Sequence, residues 1–436
     1  MRLRAIEESK LLAKIRRRVG EGGGVASNIL VLLLGSVTAR AVSLLAIPVL
    51  TRLYSPDHFG VLALYTATVA LIAPFATLRY HVAIPLPRHD AAAVCLLALV
   101  MLTASTITTL VALVILIFGH DLFRVLSIES LAPYRWLVVL GVASTSIYEV
   151  FQYWSLRKKR MARIASTQVM QSLSSVGVKL GMGALGYTPI GLILGQLMQQ
   201  GGGVVSLARQ FALDVARKPR RVDLRRLVLV ASRYRGFPAL RLPSQFLLVA
   251  ATQLPLLLAA AMFGTATAGQ FSLAFSALAI PVTLVSQTVG SAYYAEIASL
   301  GPHRRAEIRA LTFGIMKKLA LIGVAPVAFL ALLGPWFFSV AFGEVWRDAG
   351  RFAQILAFFL YVQIVTSPTI HILTVLERHT QFLSINLIRF VLVAGAFIAA
   401  HILRLDGYWT IAAYAAAMVV HYTITSVKVM RTLGRT

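Results

Sequence analysis

Residues 25–50 read VASNILVLLLGSVTARAVSLLAIPVL, an apolar run broken by a single charge, Arg40. A helix needs about 20 such residues to cross a bilayer. The run is too long for the core of a signal peptide, which spans about 7–15 residues, and no persuasive cleavage site follows it. Working outward, eleven more runs of the same kind lie near 59–84, 91–118, 131–155, 164–186, 189–213, 237–262, 266–292, 319–342, 350–375, 380–400 and 407–427. The spacing predicts an all-α membrane protein with about twelve transmembrane helices.

Composition agrees. The 436 residues are 58% hydrophobic and 13% charged, with mean hydropathy +0.78, whereas a soluble domain carries about 25% charged residues. Lys and Arg number 42 against 16 Asp and Glu, a net charge of +26. In a soluble chain that excess points to nucleic acid. Here the cations flank apolar spans, so the positive-inside rule explains them and no nucleic-acid partner is expected. With the N-terminus inside, 31 of the 42 cations fall in inner segments, 6 in outer ones and 5 within spans. That bias predicts both termini in the cytoplasm, with anionic phospholipid held at the basic loops.

The chain divides into a basic tail (1–24), an N-lobe (25–213), a basic linker (214–236), a C-lobe (237–427) and a short tail (428–436). In the first tail Leu11, Leu12, Ile15 and Val19 recur near helical spacing among Lys10, Lys14 and Arg16 to Arg18. Two readings are open there: a short helix on the lipid surface, or a solvated tail that fixes topology. The halves echo each other weakly. Phe59-Gly60-Val61 opens the second span, and 209 residues later Ala268-Gly269-Gln270 opens the eighth. Six spans return the chain to its starting side, so such a repeat is parallel.

Five cations lie inside spans: Arg40, Arg79, Lys179, Arg241 and Arg389. Each costs about 2.5–3.5 kcal/mol at a helix centre, so each needs a wet cavity or a partner. Arg79 and Arg241 are near span ends, where snorkelling to the headgroups is the competing reading. No Asp or Glu occupies the middle of a span; Glu149 comes nearest. Buried arginines without carboxylates suit an anion from outside the protein, because a guanidinium grips phosphate oxygens bidentately. A phosphate- or diphosphate-bearing substrate follows as the expectation. Ser36 accompanies Arg40 on one broad helical face, and Ser244 and Gln245 accompany Arg241. With Gln253 they are candidates for lining a polar cavity that receives sugar; the competing reading of such glutamines is glue between helices.

Other features are plainer. Cys95 is the only cysteine, so no internal disulfide exists. Gly177, Gly181, Gly191 and Gly195 have the spacing of close helix packing. His81, His371, His401 and His421 are scattered and read as packing residues. No phosphate-binding loop and no Cys/His metal spacing is present. No catalytic residue, metal or cofactor is therefore expected.

The text Ile47-Pro48-Val49-Leu50-Thr51-Arg52-Leu53-Tyr54-Ser55-Pro56-Asp57-His58-Phe59-Gly60 resembles the opening of bacterial polysaccharide-biosynthesis flippases. These O-antigen and exopolysaccharide translocases belong to the multidrug/oligosaccharidyl-lipid/polysaccharide (MOP) exporter superfamily. Ala76-Thr77-Leu78-Arg79-Tyr80 with Ala83-Ile84-Pro85-Leu86-Pro87, and Leu242-Pro243-Ser244 with Gly269-Gln270-Phe271-Ser272-Leu273, are similar to later family segments. The resemblance implies two pseudo-symmetric six-helix lobes around a central cationic cavity. It also implies a non-enzymatic flippase for undecaprenyl-diphosphate-linked oligosaccharide in the inner membrane. Arg40, Arg79 and Arg241 fit the family's diphosphate contacts best, with Arg389 and Lys179 as further candidates and Arg52 as a gating residue. A polysaccharide polymerase and chain-length machinery are implied partners. The first span lacks the carboxylate that drug exporters of the superfamily often place there. The alternatives are an exporter of a small drug or metabolite on the same fold, or a membrane polysaccharide ligase or polymerase.

Overall fold

In hydrocarbon every backbone N–H and C=O must find its partner within the protein, so apolar spans become helices. A computed structural model of the chain describes residues 25–216, 223–300, 303–376 and 379–434. The basic tail, the run Arg217–Arg221 and Arg378 lie outside the described residues.

The first half contains α1 (Val25–Leu53), α2 (Pro56–Ala76), a 3₁₀ turn (Tyr80–Ala83), α3 (Asp90–Val125) and α4 (Arg135–Arg157). It continues through α5 (Met161–Ala184), α6 (Ile190–Gly201) and α7 (Val204–Ala216) to α8 (Leu224–Arg233). A π turn, Phe237–Arg241, leads into α9 (Leu242–Leu300), followed by α10 (Arg305–Phe342) and α11 (Arg347–Thr366). The chain closes with α12 (Ile370–Val375), α13 (His379–Ile402) and α14 (Gly407–Gly434). The protein is an all-α membrane protein. Among the described residues eight helices are long and apolar enough to cross a bilayer. Twelve spans were expected from sequence, and the difference has local causes. The segments near 131–155, 164–186 and 189–213 form α4 to α7, which fall outside those eight; the last is split at Gly202 and Gly203. The segments 237–262 and 266–292 join into α9, which breaks at Gly264 with φ 85° and ψ 172°. Only glycine adopts that conformation cheaply.

Two compact units emerge. The first comprises residues 1–47, 72–117 and 135–242, and the second 48–71, 118–134 and 243–436. In the first, α1 meets α5: a Cβ on Gly35 would strike Ala165, and the Ser36 hydroxyl donates to Gln168 Oε1 at 2.7 Å. Arg157 holds the α2–α3 connection onto α4. Its guanidinium donates to Asp90 Oδ1 at 3.0 Å and to the Pro87 carbonyl at 2.6 Å. Arg160 clasps Asp214 through both terminal nitrogens at 2.8 and 2.7 Å, and Trp154 Nε1 donates to the same carboxylate at 3.0 Å. Burial raises the Asp214 carboxyl, but these hydrogen bonds and the charges of Arg160 and Lys158 outweigh it and hold it below its ordinary range.

In the second unit the start of α2 crosses α9 with no side chain between them. A Cβ on Gly60 would fall on the Thr265 carbonyl, and one on Gly269 would fall on the Pro56 carbonyl. Pro56 and Thr265 are 209 residues apart, as are Gly60 and Gly269. Residue i touching j′ while i′ touches j is the signature of a two-fold contact. Around it, Trp346 packs edge-on against Phe59 at 4.9 Å and donates Nε1–H to the Thr51 carbonyl at 3.0 Å. Gln270 donates to the Val345 carbonyl at 2.6 Å and accepts from Ala349 N–H at 2.9 Å. Phe123 and Ile128 are buried with Leu64, Ala260 and Ala268.

Candidate functional site

The helix α2 stops at Ala76 because the next residues turn left-handed: Leu78 has φ 46° and Arg79 φ 59°. Neither is glycine, and a left-handed L-residue costs about 1–2 kcal/mol. Such strain is retained only where the surroundings over-determine it. The turn then tightens into 3₁₀ form, with Tyr80 N–H bonded to the Thr77 carbonyl at 3.0 Å and Ile84 N–H to the His81 carbonyl at 3.1 Å. Tyr80 anchors it by donating to the Ala231 carbonyl at 3.3 Å, among Tyr234 and Phe237.

The consequence is a cluster of ionisable groups inside the first unit. His81, 1% exposed, places Nε2 3.4 Å from Glu149 Oε2, and its Nδ1 lies 2.7 Å from the Thr77 hydroxyl. Glu149 is 28% exposed, but its Oε2 is buried, so the carboxylate borders both the interior and an open side. The Tyr153 ring stands edge-on to His81 at 5.0 Å. The 3₁₀ turn Tyr80–Ala83, which Arg79 precedes, touches the π turn Phe237–Arg241. Arg241 comes from the π turn, with its guanidinium 5.6 Å above the Phe237 ring. Arg79 Nε is buried with no hydrogen-bond partner among the described residues. Two guanidiniums and one carboxylate thus lie on neighbouring segments, an excess of positive charge even with Glu149 ionised, and no ion pair among the described residues joins either guanidinium to Glu149. An arginine with a buried, unsatisfied N–H is a poor structural element and a ready clamp for a phosphate oxygen.

The structure gathers Arg79 and Arg241 of the candidate residues. No hydrogen bond or ion pair among the described residues joins Arg40 to them; its side chain is exposed on α1. Lys179 is engaged elsewhere, donating to Gln196 Oε1 at 3.2 Å and packing against Gly195. Arg52 is exposed near the end of α1, beside Thr51 in the second unit. Ser244, Gln245 and Gln253 are half-buried on α9, also in the second unit, as is Arg389 on α13. Sequence reading left His81 among packing residues and did not pair it with Glu149. The one available signal was that Glu149 is the acid nearest a span centre.

Against this geometry stand the comparisons. The family model described as "Polysaccharide biosynthesis protein" matches residues 49–351. The chain belongs to that polysaccharide biosynthesis family. Its fold is that of MOP-superfamily transporters. A multidrug-resistance MATE family transporter in its inward-facing conformation is similar at TM-score 0.73 and 14% identity, covering 93% of this chain and 99% of that one. The lipid II flippase MurJ in an inward closed conformation is similar at TM-score 0.67 and 10% identity, covering 93% and 90%. A MOP-superfamily transporter from Pyrococcus furiosus with reverse polarity of its binding pocket is similar at TM-score 0.59 and 16% identity, covering 95% and 98%. No curated protein matches the sequence. Family and fold together make this chain a multi-pass member of the polysaccharide biosynthesis family with the fold of MOP-superfamily transporters.

Proposed function

We propose that the protein flips an undecaprenyl-diphosphate-linked oligosaccharide repeat unit, a precursor of O-antigen or exopolysaccharide, by alternating access. It works in the bacterial inner membrane with both termini cytoplasmic, and it carries out no covalent chemistry. The observation that carries this reading is that the left-handed turn bearing Arg79 adjoins the π turn bearing Arg241, with Arg79 Nε buried and unpartnered among the described residues, in a polysaccharide biosynthesis protein. A diphosphate supplies the negative charge and the acceptor oxygens that this cluster lacks. Arg40 is the third cation for the same group, and Ser36 is a hydrogen-bonding partner for sugar hydroxyls. The lipid tail remains in the bilayer, and outer-face polymerisation consumes the product.

The test is the leaflet distribution of lipid-linked oligosaccharide in cells lacking the protein. Repeat units trapped on the cytoplasmic face are the expected result, released by the wild type and not by well-expressed Arg79→Gln or Arg40→Ala variants. Normal outward delivery without the protein, in cells shown to lack another flippase, overturns the assignment in favour of a small-molecule exporter.

A further inference from the structure

The helix α8, reading LRRLVLVASR over Leu224–Arg233, has two unlike sides. Leu227, Val230, Ala231 and, just past its end, Tyr234 recur at three- and four-residue spacing and so share one face. They pack against a buried cluster that includes Tyr80, Ile84, Ala93, Leu97 and Trp154. That cluster forms where α2 has given way to its 3₁₀ turn, α3 begins and α4 ends. The Tyr80 hydroxyl, donating to the Ala231 carbonyl at 3.3 Å, fixes the inner side of α8 there.

The outer side is set by that attachment. On it Leu224, Val228 and Leu229 are 73, 61 and 61% exposed. Exposed Arg225, Arg226 and Arg233 are interleaved with them, and exposed Arg235 follows. No acid lies on α8; Asp223 precedes it, and Asp214 on α7 is already held by Arg160 and Trp154. Among the described residues no ion pair engages Arg225, Arg233 or Arg235. The sequence just upstream, Arg217-Lys218-Pro219-Arg220-Arg221, is basic as well.

Water suits the arginines but not three large aliphatic side chains on one short helix. The boundary between headgroups and acyl chains suits both. Aliphatic side chains enter the acyl region there, while arginines reach the phosphates. The ends of α2, α3 and α4 place α8 at that level, and its excess of cations selects a negatively charged surface.

We propose that α8 is a bilayer-surface helix whose outer side, Leu224, Arg225, Val228, Leu229, Arg233 and Arg235, binds anionic phospholipid of the cytoplasmic leaflet. This lipid is a surface on which the protein rests, and it binds whether or not the cargo is a lipid-linked glycan.

The experiment uses the full-length protein carrying Val228→Cys with Cys95→Ser, labelled with bimane in phosphatidylcholine nanodiscs. The nanodiscs contain rising fractions of spin-labelled phosphatidylglycerol or spin-labelled phosphatidylcholine as quencher. Both lipids are expected to quench, with phosphatidylglycerol effective at about fivefold lower fraction or less, the effect of a single arginine at the surface. Added salt shrinks that preference. Replacing Arg225, Arg233 and Arg235 together by Gln removes the preference and keeps quenching by phosphatidylcholine. Quenching by aqueous iodide and by neither lipid leaves the face in water, bare or reserved for a protein partner, and overturns the proposal. Equal quenching by the two lipids with the arginines intact also overturns it, as does an undiminished preference in the triple variant. Should that variant not fold, the comparison of the two lipids with the arginines intact decides alone.

Discussion

The two ends of α2 solve opposite problems. At its start, Pro56 and Gly60 press backbone against backbone on Thr265 and Gly269, and the Thr265 hydroxyl donates to Asp57 Oδ1 at 2.8 Å beside the contact. At its end, two left-handed non-glycine residues stop the helix and bring Arg79 and His81 towards Glu149, leaving buried polar atoms unsatisfied. The first end is optimised for contact. The second holds strain and unspent hydrogen-bonding capacity, a combination characteristic of functional sites. The boundary between the two compact units falls within α2 itself, at Leu71–Ile72. One helix therefore carries a close backbone junction at one end and a polar cluster at the other.

The contrast breaks most readily at the glycines. In Gly60→Ala the new methyl group meets the Thr265 carbonyl, which is backbone of a packed helix and has little freedom to retreat. Overpacking of this kind costs about 1–3 kcal/mol or more. Gly269→Ala meets Pro56 in the same way, so the two variants are expected to lose folded yield and thermal stability in detergent to a similar degree. Gly177→Ala and Gly181→Ala, with open space at the added Cβ, are expected to be neutral or to gain about 0.5–1 kcal/mol from helix propensity. Unequal losses at Gly60 and Gly269 would break the two-fold reading of the junction.

The second end sharpens the comparison through Arg79→Gly. Glycine accepts φ 59° at no steric cost, so the substitution relieves the left-handed backbone while deleting the charge. Yield and melting temperature are expected to hold or rise by about 1 kcal/mol equivalent, with flipping lost. Retained flipping in that variant would show that the turn, and not the cation, is what matters.

These two ends also differ in how far the sequence revealed them. The glycines of the crossing stood out as a weak 209-residue echo around Gly60 and Gly269, which sequence reads as a parallel repeat; that the two segments touch is seen only in the structure. The apolar runs behind α1, α2 and α3 were visible because bilayer thickness sets a length. The turn at Leu78 and Arg79 carries no such mark. Leucine and arginine are ordinary helix formers, and only the packing of Tyr80 against Ala231, Tyr234 and Phe237 compels them left-handed. Arg79 and Arg241 were named from their cost in a membrane, but the meeting of their two turns depends on a π turn about 160 residues downstream, which hydropathy does not encode.

The smallest expected effect concerns His81 and Glu149. At 3.4 Å, with Glu149 Oε2 and His81 Nε2 making no hydrogen bond, the pair is close but not fully engaged. Under the proposed reading a bound diphosphate competes with Glu149 for Arg79 and Arg241, and Thr77 keeps His81 oriented for the freed carboxylate. Two residues in contact generally couple by about 0.5–3 kcal/mol. A double-mutant cycle of His81→Phe and Glu149→Gln, read by thermal stability without substrate, is expected to fall at the low end of that range because the contact is long. Adding substrate lipid should change the coupling, since under the proposed reading the diphosphate takes up the neighbouring guanidiniums. Strict additivity with and without lipid would separate the pair from the arginines. The end of α2 would then be a strained turn with two cations, and its polar neighbours would be packing residues after all.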